Sequence, residues 1–286
     1  MQLFFTRIRI LCNALMGVGI RVWFSIWGFH KINGLNTSPR EKKIIISLTS
    51  YGRRVHVTLY YVLISLLRQR FKPDKIVVWL DSDHWNIDNL PRNLVEMKNL
   101  GVEFRFCEDI RSYKKLIPSL IEFQNDHLVT TDDDAFYRAG FLKDLHESFL
   151  KYPDEIHVAI AHKPLRDESG KLCSYKAWPK NIKPTRNEEI FPTGVGGCFY
   201  PAGSLYPDVT KKELFMTLCP TADDIWFWAM AKMQKTGHVL VKTKKYLPLD
   251  WFYEYTHTDT ALTHVNVHQN ANDKQIKQVI DYYHLN

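Results

Sequence analysis

The sequence predicts an α/β fold, a mostly parallel central sheet flanked by helices. Three observations carry that expectation. Between residues 43 and 131, short β-branched apolar runs alternate with helix-period segments in the order βαβαβαβ. Three of the four strands run into acids: Asp81, Glu108-Asp109 and Asp132. Neither GxGxxG nor GxxxxGKS/T follows the first strand, which argues against a dinucleotide-binding Rossmann domain and a P-loop ATPase.

The elements follow in order. Residues 1–40 form an apolar, basic leader and linker, and residues 41–286 the main domain. Ile10 to Phe29 has the length of a spanning helix, but Arg21 near its middle costs about 2.5–3.5 kcal/mol in a bilayer. An interfacial helix fits better, with Trp23 and Trp27 in lipid and Arg7, Arg9 and Arg21 at headgroups. A helix packed on the body is the alternative, and a signal peptide lacks its small-x-small cleavage site. Gly34 to Arg40 reads as a polar linker.

Lys43–Thr49 reads as a buried strand, Val55–Arg70 as a helix, Lys75–Leu80 as a second strand and Leu90–Leu100 as a helix closed by Gly101. Val102–Cys107 is a third strand, Ser112–Phe123 a helix and Leu128–Thr131 a fourth strand. Phe141–Lys151 is helical, Ile156–Ala161 is a strand, residues 162–190 form a long loop, and Asn272–Tyr283 is a closing helix.

At 286 residues, with 45% hydrophobic and 24% charged residues, the chain can bury a full core. Five scattered cysteines with no CxxC spacing fit a reducing compartment and give no sign of a zinc site. The net charge of +7 would suggest nucleic acid if it lay on the body. Residues 1–43 hold +6 of it, so no nucleic-acid partner is expected.

Thr131-Asp132-Asp133-Asp134 is the chemical focus. Carboxylates at the carboxyl end of a strand sit where open α/β sheets bind ligands. Three adjacent aspartates need a cation. A divalent ion, Mn²⁺ or Mg²⁺, takes oxygen ligands and bridges phosphates. Alternate residues of an extended chain point the same way, so Asp132 and Asp134 face one ion while Asp133 faces elsewhere. The competing reading is an acidic turn capping the helix that starts near Ala139. Downstream, Gly194, Gly196 and Gly197 permit close approach to a ligand or a tight turn. Asp223 and Asp224 open a helix and read as caps or as a general base. Trp226 and Trp228 read as core rather than as sugar-stacking residues. One of His257, His264 and His268 could ligate a metal, although an isolated His is more often structural.

The blocks SLTSYGRR, SLLRQRFKPDKIVVWL, FRFCEDIRSYKKLIPSL, VTTDDDAFY, FPTGVGGCFYP, TADDIWFWAM and NDKQI, in that order over residues 43–283, resemble bacterial GT-A fold glycosyltransferases of the family 2 kind, from polysaccharide and lipopolysaccharide loci. The resemblance implies a nucleotide-sugar donor held by Thr49, Ser50, Tyr51, Asp81, Lys115 (with Lys114 as its alternative), Asp132, Asp133, Gly196 and Gly197. It implies a metal on Asp132 and Asp134, and a catalytic base at Asp224 with Asp223 orienting it. The acid pair is Asp-Asp where many such enzymes have Glu-Asp, which leaves the choice between the two open. The implied acceptor is a glycan or lipid-linked saccharide, transfer is with inversion, and the location is cytoplasmic or on the cytoplasmic face of the inner membrane. Peripheral membrane contact falls to residues 1–30. A sugar nucleotidyltransferase and a non-catalytic membrane-associated scaffold are the alternatives; the first wants a Gly-rich basic loop that Ser50-Tyr51-Gly52-Arg53-Arg54 matches poorly. A phosphatase with an Asp nucleophile would want DxDxT/V after the first strand, which is absent.

Overall fold

The computed structural model describes residues 15, 17–19, 21–27, 32, 34–186, 189–242, 247–248, 266 and 270–285. The expected histidines His257, His264 and His268 lie outside the described residues.

Strands β1 (Ile44–Thr49), β2 (Lys75–Asp81), β3 (Val102–Cys107), β4 (His127–Thr130), β6 (Ile156–Val158), β9 (Cys198–Tyr200) and β10 (His238–Leu240) form a seven-stranded sheet in the order β10-β6-β9-β4-β1-β2-β3. Strand β1 pairs in parallel with β2 and β4, and β2 with β3. Strand β9 alone runs antiparallel, between β4 and β6. The short β5 (Ala135–Phe136), β7 (Ala161–His162), β8 (Phe191–Pro192) and β11 (Leu247–Pro248) form two small sheets, β5 with β11 and β7 with β8.

Both faces of the sheet are covered. In β1, Ile44, Ile46 and Leu48 face one core and Ile45 the other, the two-residue alternation of a pleated strand. The first core is filled by α1 (Arg53–Val57), α2 (Leu59–Leu67), α3 (Arg92–Met97) and α5 (Phe141–Lys151). The second holds α4 (Ile117–Glu122), α6 (Lys212–Leu218), α7 (Asp223–Gln234) and α8 (Ala271–Tyr283). Trp226 and Trp228 are buried in this second core, and the Trp226 indole N–H donates to the Val209 carbonyl at 3.0 Å, so packing accounts for both rings.

The expected helix Val55–Arg70 is two helices, α1 and α2, interrupted at Thr58. The Thr58 hydroxyl and its own backbone N–H both reach the Arg54 carbonyl, and φ there is −114°. A side chain competing for a helix carbonyl disturbs the helix in this way. The expected strand Ile156–Ala161 divides as well, because Ala159 N–H bonds Gly197 O and Ala161 pairs with β8. The described part of the long loop, residues 162–186 and 189–190, is packed rather than loose. Tyr175 and Trp178 are buried against Phe191, and Asp273 accepts from the Tyr175 backbone N–H at 2.6 Å.

Residues 34–40, expected as a linker, are pinned to the body. Gly34 N–H donates to Leu67 O at 3.1 Å and Asn36 N–H to Pro73 O at 2.8 Å. Arg40 pairs with Asp74 at 2.7 Å, and the same carboxylate accepts from the Ile44 N–H and the Asn36 side chain. Upstream, residues 21–27 are helical and buried Phe24 packs on Phe136, ring centroids 5.1 Å apart. No helix among the described residues is long and apolar enough to cross a membrane.

Candidate active site

The chain runs from β1 through β2 to β3 in one direction, then returns to place β4 on the other side of β1. That reversal makes a switch point at the carboxyl ends of β1 and β4, the place where open α/β sheets form their ligand crevice. Ser50, just after β1, and the acidic turn after β4 meet there.

The Ser50 hydroxyl donates to one oxygen of Asp133, and Arg54 reaches the other at 3.1 Å. Arg54 also pairs with Asp134 at 2.9 Å. Asp133 is buried and turned toward Ser50, but the Arg54 guanidinium spans Asp133 and Asp134 while Asp132 goes to Lys115, so the partners do not alternate along the turn. Burial raises its pKa to about 6; Arg54 and the Ser50 hydroxyl pull it back, while Asp134 and Asp132 push it up. The turn does not cap α5: Gly140 is the N-cap and carries no side-chain cap bond.

Against the acidic turn stands Lys115, the last residue of the 3-10 turn Arg111–Lys115. Its ammonium is 2.9 Å from Asp223 Oδ2 and 3.4 Å from Asp132 Oδ1. One buried cation therefore joins the acidic turn to the acid pair, about ninety residues apart in sequence. Burial alone would lower the Lys115 pKa, but Asp132, Asp223 and Asp224 outweigh it and hold the lysine charged, well above its usual range. Lys114 faces away and pairs with Asp109.

Asp223 and Asp224 are the first two residues of α7, whose N-cap is Ala222 with no side-chain cap bond. Asp223 is buried and committed to Lys115. Asp224 is less buried, and both its oxygens accept from the Gly194 N–H at 3.1 Å. Burial raises its pKa to about 7, Asp223 adds to the rise, and Lys115 with the Gly194 N–H oppose it.

The glycines divide by role. A Cβ on Gly194 would lie 2.6 Å from Lys115 Nζ and 2.9 Å from Asp224 Oδ1, so that position must be bare for the cluster to form. Gly196 is hemmed in by Ile160, and Gly197, with φ +89°, by Phe141 and the Thr130 carbonyl. Their constraint is packing beneath the crevice. The remaining expected residues have partners of their own. The Thr49 hydroxyl is spent on the Trp79 carbonyl at 2.7 Å. Tyr51 is half exposed, with the Arg54 guanidinium 5.5 Å from its ring. Asp81 is buried and accepts from His84 through backbone and ring, an interaction that raises the His84 pKa.

Sequence reasoning missed three residues: Arg54, Gly194 as a contact residue, and Tyr137. The Tyr137 hydroxyl donates to Val195 O at 3.1 Å and accepts from the Asp132 N–H at 2.9 Å, tying the acidic turn to the glycine loop. The demand for a cation near three aspartates was legible, but nothing local assigned it to Arg54, 79 residues from Asp133.

Among the described residues no group of three His, Cys, Asp or Glu is arranged to hold a metal unaided. The donor chemistry nevertheless fits a hard divalent ion, because Mg²⁺ commonly takes one or two carboxylates and completes its shell with water and substrate phosphates. Asp132 and Asp134, which pair with Lys115 and Arg54 here, are the carboxylates that would supply them.

No protein-family model matches the chain, and no curated protein sequence matches it. Among solved structures it is similar to S. aureus TarS 1-349 in complex with UDP, at 15% identity over 80% of this chain and 73% of that one, TM-score 0.48. It is also similar to CMP:2-keto-3-deoxy-manno-octonic acid synthetase complexed with CTP, at 10% identity over 70% and 89% of the two chains, TM-score 0.43. GalNAc-T7 with UDP, GalNAc and Mn²⁺ gives 12% identity over 72% and 46%, TM-score 0.44. Two of these hold UDP and one CTP, so the similarity does not single out one reaction.

Proposed function

We propose that the protein is a metal-dependent glycosyltransferase that moves a sugar, with inversion, from a nucleoside-diphosphate sugar to a hydroxyl of a glycan or lipid-linked saccharide, within bacterial polysaccharide synthesis. The observation that carries this reading is the single Lys115 ammonium shared by Asp132 and Asp223. It brings a phosphate-and-metal end and a proton-accepting end into one crevice.

Asp132 and Asp134 would hold the divalent ion, which when bound offsets charge on the departing diphosphate. Tyr51, exposed at the rim, is the stacking surface for the base, and Ser50 keeps Asp133 fixed behind the metal pair. Asp224 is the general base. It is the more open member of the acid pair, and its pKa is raised toward the operating range, where a base is most effective. Asp223, locked on Lys115, positions the start of α7 instead of taking a proton.

The test is a panel of nucleotide sugars with Mn²⁺ or Mg²⁺, read by the released product. Nucleoside diphosphate supports sugar transfer, whereas pyrophosphate formed from a nucleoside triphosphate and a sugar phosphate replaces this reading with nucleotidyl transfer. Asp224→Asn should lower transfer by about 10²–10⁴-fold with donor binding retained. A variant that keeps full rate removes Asp224 from the mechanism.

A further inference from the structure

We infer that the N-terminal helix is a docking surface for an anionic lipid bilayer, carried on the body rather than free of it. Leu15, Val18, Val22 and Ile26 follow at helical spacing and are 63%, 52%, 52% and 63% exposed. Gly17 and Phe24 lie about 200° round the helix from Leu15 and Val22 at 100° per residue, and both are buried. The helix therefore has one face turned inward and an apolar face turned outward. The inner face is spent on the body, through Phe24 against Phe136 and the Arg68 guanidinium. The outer one meets solvent and is flanked by Trp23 and Trp27, each nearly half exposed.

The charge selects the occupant. Residues 1–39 contain four basic side chains, Arg7, Arg9, Arg21 and Lys31, and no acid. An apolar stripe edged by tryptophan and set in unbalanced positive charge has the composition of an interfacial helix on anionic lipid. A second copy of the same helix would bring like charge against like charge. The seat on Phe136, two residues beyond Asp134, places the bilayer-facing helix beside the acidic turn. This inference does not depend on the proposed reaction, because it is read by binding alone.

The full-length protein would be sedimented with phosphatidylcholine vesicles with and without phosphatidylglycerol. Binding is expected only with the anionic lipid, and it should weaken as salt is raised. Val22→Asp/Ile26→Asp should reduce partitioning by about tenfold or more, with the thermal melt unchanged. If that variant fails to fold, quenching of wild-type tryptophan fluorescence by brominated anionic lipid gives the same answer. Equal vesicle binding by variant and wild type overturns the inference. So does absence of binding, or of quenching, by wild type. A dimer in sedimentation velocity that the variant dissolves, with no vesicle binding, overturns it in favour of a second copy.

Discussion

Lys115→Met would leave Asp132 and Asp223 facing across the crevice without the cation they share. Removing one partner of a buried ion pair costs about 3–5 kcal/mol, since the remaining charges lose their compensation. Urea denaturation should show a loss of that size, larger than for Arg92→Met, whose pair with Glu96 lies on the surface. The lysine is held above its usual range, so on its side this stabilisation spans neutral pH and is lost in strong alkali; in acid it is lost as Asp132, whose pKa burial raises, takes up a proton. Asp224 gives a second prediction. Its carboxyl ionises near 7 in the folded chain against an ordinary value of 3.8. Turnover should rise with pH through about 7, seen as an ascending limb in kcat/KM. The sign for stability is opposite: the folded state holds the proton more tightly, so this group's contribution falls as pH climbs from about 4 to about 7. The aspartates were legible in the sequence because like charges at a strand end demand an explanation. Arg54 was not, since it meets Asp133 across 79 residues and no local pattern announces that.

At the level of elements, the glycine loop between β8 and β9 carries two different constraints. Gly194→Ala would push Lys115 Nζ and Asp224 Oδ1 from their places, and misplacement of about 1 Å is worth about 10²-fold in rate. Its melting temperature should fall, though less than for Lys115→Met, because the lysine tip is displaced rather than removed. Gly197→Ala places a Cβ against the Phe141 ring at a positive φ and should cost about 1–3 kcal/mol of stability. Comparing initial rates and thermal melts of the two variants separates the roles. Strand β3 and helix α5 coincide with their sequence readings, because their periodicity and stops are local: Gly101, at φ +89°, closes the turn before β3. The break at Thr58 was hidden. The apolar spacing of Val55, Leu59, Val62, Leu63 and Leu66 runs smoothly past it, and a hydroxyl competing for a carbonyl leaves no periodic trace.

For the molecule as a whole, the start of the folded body is set by Asp74. Its carboxylate accepts from Arg40, Asn36 and the Ile44 N–H, so residues 34–40 belong structurally to the sheet's lower edge. A chain beginning at residue 34 should keep the Asp74 contacts and its donor hydrolysis, losing only the packing of Phe24 on Phe136. One beginning at residue 41 should lose about 2–4 kcal/mol, since the Asp74 charge gives up two side-chain partners. Equilibrium denaturation of the two truncations distinguishes them. The polar composition of Gly34 to Arg40 suggests a free linker, because sequence reports solubility but not the distant carboxylate that captures it.

The reversed strand β9 sets the order in which the sheet is assembled. It fills the gap between β4 and β6, yet the ribosome delivers it after both. From the time residue 130 emerges until residue 198 does, β4 presents a bare hydrogen-bonding edge, the kind of template on which nascent chains adhere to one another. The last-made strand of the central sheet's interior is thus a keystone: before it arrives the two flanks are separate pieces, and afterwards neither can slide past the other.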